Sequence, residues 1–273
     1  MKQIKVYRAG LHLGEENLIE GNRNSGMINF SGCHLNCHFC YTPETSKEWK
    51  GSDYSPETFV ELCHDLVRRG ARNLNLISPT QFFPLLAEPL KVLRHRYGTL
   101  LPIVLKISGY ESQPIIDLMV LTADVFVPDF KVWDEKLALQ VGLPQRYGTF
   151  ALSAISRMME THGSPQYSEN HKLSRGILVR HLLMPNATED SFQVLNHLGN
   201  IGYSGAINLM TYFYDPRNKK VSNASPQDLT LLTHHAQSLG MQVLVNGKLN
   251  HPYQIDCGVA EASQSMLGGA YAG

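Results

Sequence analysis

Met27-Ile28-Asn29-Phe30-Ser31-Gly32-Cys33-His34-Leu35-Asn36-Cys37-His38-Phe39-Cys40 is the stretch that decides how this chain is read. Its first four residues are a short run of strand type, and they lead through a glycine straight into a loop. That loop carries Cys33, Cys37 and Cys40 in a C-x3-C-x2-C spacing. Iron–sulfur cubanes are held by Cys thiolates and ordinarily take four. A loop that supplies only three leaves one iron with open coordination positions, and an open iron can bind a substrate.

The chemistry suited to such an iron is reductive cleavage of S-adenosylmethionine. The iron chelates the methionine amino and carboxylate groups, and the 4Fe-4S cluster passes one electron into the sulfonium to give a 5'-deoxyadenosyl radical. The protein's share is to hold the cofactor, exclude water and place the hydrogen to be abstracted. A zinc knuckle is the competing reading, because His34 or His38 would complete a Cys3His tetrahedron. Zinc quartets usually come from two separated pairs, whereas these ligands crowd one loop. Three free core thiols are a further reading, opposed by the His and Asn residues between them. Cys63 lies on an apolar helical face with Phe59, Leu62, Leu66 and Val67 and reads as core. Cys257 reads as a free thiol.

With 273 residues, 43% of them apolar, the chain suits one domain of barrel size over 1–273, with an N-terminal extension over 1–25 and a small-residue tail over 260–273. Lys plus Arg equals Asp plus Glu at 24 each, and no basic run marks a nucleic-acid partner. No apolar stretch has the length of a signal h-region or a membrane span, which points to a cytoplasmic protein. An odd number of cysteines agrees with a reducing compartment.

Short apolar runs predict strands over 27–30, 74–77, 103–107, 125–130, 176–183, 206–212 and 241–245. Helical periodicity lies between them, over 55–69, 81–96, 112–121, 149–161, 191–198 and 226–239. This alternation predicts an α/β fold, a partial, open (β/α)6-type barrel with a parallel sheet. Chemistry in such barrels gathers at the C-terminal ends of the strands. Those ends carry Ser78 and Thr80, then Lys106 and Ser108 to Glu111, then Asp129 and Lys131, Arg180 and His181, Thr211 and Tyr212, and Asn246 and Lys248. Lys131 or Arg180 suits a cofactor carboxylate, and Asp129 an amino group or a supporting cation. A solvated strand-end pair is the plainer reading of Asp129 and Lys131, and a satisfied structural residue that of His181.

The cysteine loop, with Phe39 just before Cys40, together with the βα repeats, resembles the radical S-adenosylmethionine superfamily. Within it the chain is similar to the group related to pyruvate formate-lyase activating enzymes. The similar runs are 12–16, 26–33, 75–80 (Asn-Leu-Ile-Ser-Pro-Thr), 108–111 (Ser-Gly-Tyr-Glu), 128–131 (Pro-Asp-Phe-Lys) and 179–182. The resemblance implies Cys33, Cys37 and Cys40 as cluster ligands, Phe39 beside the adenine, and Asp129 and Lys131 at the methionine end; the strand ends themselves offer Ser78, Thr80, Ser108 and Arg180 as further cofactor contacts. It also implies a flavodoxin or ferredoxin electron donor and a protein or peptide substrate, most simply a partner on which a glycyl radical is made. The alternative is a small-molecule substrate lined by Tyr110, Glu111, Tyr212 and Arg217. One departure stands out. Where activating enzymes carry Gly-Gly-Glu after the second strand, this chain has Ser78-Pro79-Thr80-Gln81, with no carboxylate.

Overall fold

A computed structural model describes residues 3–14, 16–19, 24–97, 101–216 and 219–249. Arg217, Cys257 and the expected tail over 260–273 lie outside the described residues. The sequence predicts an extension over 1–25, yet part of it belongs to the sheet. Strand β1 (Ile4–His12) pairs antiparallel with β2 (Ser25–Phe30), setting Ala9 opposite Ile28 and His12 opposite Ser25. Ile4 and Val6 are buried while Lys5 between them is half-exposed, the period-two signature of a strand with one covered face. After the cysteine loop come helix α1 (Pro43–Lys47) and β3 (Ser52–Tyr54), which pairs with the other edge of β1.

From there the chain alternates as its periodicity predicts: α2 (Pro56–Arg68), β4 (Leu74–Ile77), α3 (Phe83–Tyr97), β5 (Ile103–Ile107), α4 (Gln113–Val120) and β6 (Val125–Pro128). The next crossover holds α5 (Glu135–Gln140), α6 (Tyr147–His162) and the two-residue β7 (Gln166–Tyr167) before β8 (Leu173–Leu182). Helix α7 (Thr188–Asn200) leads to β9 (Ala206–Met210). Strands β10 (Tyr212–Asp215) and β11 (Lys220–Asn223) form a separate hairpin, and α8 (Pro226–Ser238), β12 (Gln242–Val245) and β13 (Lys248–Leu249) follow. Helix starts are set by local chemistry. Ser55 and Thr58 cap α2 reciprocally with Pro56 in its first turn, and Ser225 accepts the Asp228 N–H at α8. Each such cap contributes about 1 kcal/mol.

The sheet runs in the order β13-β12-β9-β8-β6-β5-β4-β2-β1-β3, and from β2 to β12 every neighbouring pair is parallel. Six crossovers therefore join seven parallel strands, and the sheet is open because β13 and β3 end it without meeting.

Alternation along the strands separates two cores. Leu76, Leu105, Phe126, Val179 and Ile207 belong to the large core shared with the helices, while Val104, Val125, Val127, Leu178, Ala206 and Leu244 form a second cluster on the inner face. Leu18 and Ile19, from the connection between β1 and β2, complete that inner cluster. The connection is held by Leu173 N–H to the Leu18 carbonyl and Asn17 N–H to the Gly247 carbonyl, both 2.7 Å. Two residues further along β5, β6 and β8 the same inner face turns from apolar to charged: Val104 gives way to Lys106, Val127 to Asp129 and Leu178 to Arg180. An apolar floor thus carries a charged layer, and above it the strands end.

Candidate functional site

The cysteine loop follows β2 directly and is fixed by contacts from several directions. Ser31 N–H reaches the Lys5 carbonyl, Gly32 N–H that of Thr45 and His38 N–H that of Val141. Gln81 donates its side-chain amide to the carbonyls of Ser31 and Gly32, both at 2.8 Å. Gly32 is required where it stands: its φ is +83°, and a Cβ would lie 2.6 Å from the Trp49 ring.

All three thiols are half-buried. Burial pushes the Cys33 thiol up; the Leu35 N–H and Lys131 pull it down, while Cys40 and Glu111 add to the rise. Burial likewise pushes Cys37 up to about 11, with Lys131 opposing and Cys33 and Cys40 adding. Lys131 thus lies within electrostatic reach of both Cys33 and Cys37. A metal centre needs them as thiolates, so loading releases protons, and Lys131 offsets part of the added negative charge.

The histidines of the loop turn elsewhere. His34 Nε2 lies 3.0 Å from Ser108 Oγ and its ring stacks on Tyr110, while His38 Nδ1 lies 3.2 Å from the Gln140 carbonyl. Tetrahedral zinc, with Zn–S of about 2.3 Å, draws its sulfurs to within about 4 Å of one another. Among the described residues no group of three or more His, Cys, Asp and Glu converges to hold such an ion. With both histidines bonded elsewhere, the loop offers three thiols and no fourth protein ligand among the described residues, which is the donor set of a cluster held by three thiolates.

Beside the loop the charged layer forms a connected network. Asp129 accepts from Arg180 Nε at 2.8 Å through one oxygen and from Lys131 Nζ through the other. Arg180 reaches Glu16 at 4.0 Å, and Glu16 pairs with Lys106 at 2.7 Å. Burial pushes the Asp129 carboxyl up, but Arg180 and Lys131 outweigh it and hold the group below its ordinary value. Burial lowers Lys131, and Asp129 and then Cys37 more than reverse that. Glu16 follows the same logic: burial raises it, and Lys106 and Arg180 win. Both oxygens of Asp129 are thus engaged, and its part is to orient two cations toward the mouth of the barrel. Phe39 is buried next to them, its ring centroid 6.0 Å from Lys131 Nζ.

Tyr147, wholly buried at the start of α6, locks the ends of β5 and β6. Its hydroxyl lies 2.7 Å from the Ser108 carbonyl and 2.8 Å from that of Asp129, and accepts the Lys131 N–H at 3.2 Å. Between these carbonyls Gly109 adopts φ +80°, and a Cβ there would lie 2.0 Å from the Asp129 carbonyl oxygen.

At the end of β4, Ser78 has a φ of +56°, left-handed backbone that a glycine would adopt without strain. Its N–H bonds the Lys106 carbonyl at 2.9 Å. Thr80 donates its hydroxyl to Glu111 at 3.0 Å, and Ser108 donates both its N–H and its hydroxyl to the same oxygen at 3.0 and 2.7 Å.

The structure thus brings Cys33, Cys37, Cys40, Phe39, Asp129, Lys131 and Arg180 together on one side, and Ser108, Thr80 and Glu111 on another. Other strand-end residues serve the fold. His181 bonds the Phe130 carbonyl and Ser191, and burial drives its pKa down to about 4. Asn246 bonds Thr211 twice, tying β12 to the end of β9.

The strand predicted over 206–212 breaks at Thr211, and the hairpin beyond it covers the cysteine loop. Phe213 packs on Phe39 at 5.6 Å and Tyr214 on Tyr41 at 5.3 Å, while Tyr41 donates to the Tyr212 carbonyl. Sequence reasoning missed Tyr147, Glu16 and the bracing role of Gln81. Two of the three carry a local signal: Glu16 closes the family-like run 12–16, and Gln81 closes the run that stands in place of Gly-Gly-Glu.

No protein-family model matches the chain, and no curated protein is similar to it in sequence. Solved structures do resemble it. A radical SAM methyltransferase from Sphaerobacter thermophilus superposes with a TM-score of 0.60 at 15% identity, over 82% of this chain and 66% of that one. SuiB of Streptococcus suis, bound to S-adenosylmethionine, gives 0.57 at 10% identity over 78% of this chain. This chain spans about half of SuiB, 48% of its length. TsrM of Kitasatospora setae, a radical S-adenosylmethionine methyltransferase, gives 0.51 at 12% identity over 69% and 36%. The chain has the fold of these radical S-adenosylmethionine proteins.

Proposed function

We propose that this protein is a radical S-adenosylmethionine enzyme that abstracts hydrogen from a peptide or protein. The observation that carries the reading is a loop of three half-buried free thiols that follows the first parallel strand, with Lys131 beside it and both loop histidines engaged elsewhere. Cys33, Cys37 and Cys40 hold a 4Fe-4S cluster, which, when bound, supplies the electron that cleaves S-adenosylmethionine to methionine and a 5'-deoxyadenosyl radical. Lys131, oriented by Asp129, binds the cofactor carboxylate, with Arg180 on the other oxygen of Asp129 setting the position of that carboxylate. Phe39 packs against the adenine. The hairpin aromatics Phe213 and Tyr214, packed on Phe39 and Tyr41, keep water from the cluster loop.

A peptide substrate is supported by Tyr41 and Trp49, half-exposed aromatics flanking the cysteine loop that offer apolar contact to an extended chain. SuiB, which shares the fold at a TM-score of 0.56 and 10% identity, is known bound to its precursor peptide SuiA. A glycyl radical on a partner enzyme is the leading form of the reaction, with electrons from a low-potential flavodoxin or ferredoxin. The test is anaerobic reconstitution, iron and sulfide analysis with Mössbauer spectroscopy, and incubation with S-adenosylmethionine and deuterated candidate partners. Label should pass from a partner polypeptide into 5'-deoxyadenosine. Stoichiometric zinc without sulfide in protein isolated without oxygen overturns the cluster, and label arriving only from a small metabolite overturns the peptide substrate.

A further inference from the structure

Helix α1 starts at Pro43, just past Cys40, and folds back on the cysteine loop. Two bonds tie the segment there. Gly32 N–H reaches the Thr45 carbonyl at 2.7 Å, and beyond the helix Ser31 donates its hydroxyl to the Lys50 carbonyl. Ser46, the next residue of α1, is half-buried, and its N–H is held by the Thr42 carbonyl at 3.0 Å. Its side-chain oxygen stands 3.3 Å from Cys40 Sγ.

A hydroxyl has one proton to donate, and the other acceptor within reach of Ser46 is the Pro43 carbonyl at 3.5 Å. That is long for an O–H···O bond, whereas 3.3 Å is close for the larger sulfur atom. Between a neutral thiol and a hydroxyl either group can donate. A metal ligand is a thiolate and has no proton, so once Cys40 binds iron the donor is Ser46 and the acceptor is the sulfur. Cys33 is served differently, by the backbone N–H of Leu35 at 3.4 Å. Among the described residues, Ser46 has the one side-chain hydroxyl bonded to a thiol of the loop.

We propose that Ser46 tunes the cluster: its hydroxyl donates to the Cys40 thiolate and raises the reduction potential. The inference rests on the proposed function and adds to it a positioning residue that acts through Cys40. Hydrogen bonds to the sulfurs are among the factors that set iron–sulfur potentials, and groups bonded to metal ligands tune metal centres in general. In the step concerned, one electron leaves the flavodoxin or ferredoxin, which is oxidised, and enters the cluster, which is reduced. The added negative charge falls partly on the thiolate sulfurs. A donor aimed at one of them therefore stabilises the reduced cluster more than the oxidised one.

The test is a potentiometric titration of the reconstituted protein without S-adenosylmethionine, in which the reduced cluster is counted by electron paramagnetic resonance. Ser46→Ala deletes the donor. Loss of one hydrogen bond should lower the equilibrium constant for reduction by roughly tenfold, a fall of about 59 mV for a one-electron couple. Ser46→Thr and Ser46→Val provide a pair of equal shape that differs in the hydroxyl. The first should keep the potential of the wild type and the second should fall with Ser46→Ala, which separates the hydrogen bond from packing. The pair serves equally should Ser46→Ala not take up a cluster, and iron and sulfide content controls for loading throughout. Equal potentials in the cluster-loaded pair overturn the role of Ser46 while the proposed function stands. Wild-type protein that takes up no reducible cluster overturns both.

Discussion

Removing the Tyr147 hydroxyl tests whether the ends of β5 and β6 are locked as the geometry indicates. Tyr147→Phe keeps the ring, with its stacking on Tyr110 at 6.2 Å, and deletes one oxygen. A hydroxyl has one proton to donate, shared here between the carbonyls of Ser108 and Asp129, and it accepts the Lys131 N–H. The site is closed to water, since Tyr147 is wholly buried. One donor and one acceptor are therefore lost without replacement. At about 1–3 kcal/mol for each buried group left unpaired, and with the Lys131 bond the longer of the three, the variant should lose about 2–4 kcal/mol. For a slope of about 3 kcal/mol per M, that is a drop of about 1 M in the urea midpoint.

The assay is urea unfolding of the cluster-free protein under reducing conditions, because a tightly bound cofactor spoils two-state analysis. A second readout follows from the bond to Lys131. Freed of it, the backbone of Lys131, the proposed carboxylate partner, should shift, and affinity for S-adenosylmethionine should fall in the variant. An unchanged midpoint at unchanged slope would refute the reasoning, since it would mean that the carbonyls of Ser108 and Asp129 find other donors.

Three further outcomes are expected. Lys131→Ala removes a charge-assisted contact worth about 1.5–3 kcal/mol and should weaken S-adenosylmethionine binding by a factor of roughly 10 to 150; unchanged affinity in folded protein would move the carboxylate contact to Arg180. The cluster-free protein should lose stability in acid. Asp129 and Glu16 are held below their unfolded values of about 4, so their stabilisation is complete above those values and disappears as pH falls through the folded ones. Asp129→Asn should shrink the acid slope and cost about 3–5 kcal/mol at neutral pH, because Lys131 loses its carboxylate and Arg180 is left with Glu16 at 4.0 Å; an unaltered acid slope in a pH series of urea midpoints argues against the network. Glu16→Gln should destabilise by a similar amount, about 3–5 kcal/mol, measured by the same midpoints, and a neutral effect would mean that Lys106 is held by other groups.

The sequence disclosed the parallel strands and most of the helices between them, whose periodicity runs along one element, but not β1, whose period-two pattern lies in the segment read as an extension. The strands over 74–77 and 103–107 are found with those bounds because short runs of Leu, Ile and Val, each holding one polar residue (Asn75 and Lys106), end at Ser78 and Ser108. The inner face of the barrel is equally legible. Val104 and Lys106, Val127 and Asp129, and Leu178 and Arg180 repeat one i, i+2 change from apolar to charged; Asp129 and Arg180 stand opposite each other, and Lys106 comes one step earlier, opposite Val127. What the sequence cannot disclose is how that charge is balanced. Glu16 comes from a connection read as an extension, and it meets Lys106 and Arg180 only because Leu18 and Ile19 are drawn into the inner cluster. Tyr147 binds the backbone carbonyls of Ser108 and Asp129, partners whose identity leaves no trace in side-chain type. Glu111 is the intermediate case. Its place after β5 marks it as a strand-end residue, but its relation to the altered run after β4 appears only when Thr80 is found bonded to it. A hydrogen bond that runs from one strand end to the next leaves no periodic trace in either strand, and for that reason the joining of Thr80 to Glu111 could be found only in the folded chain.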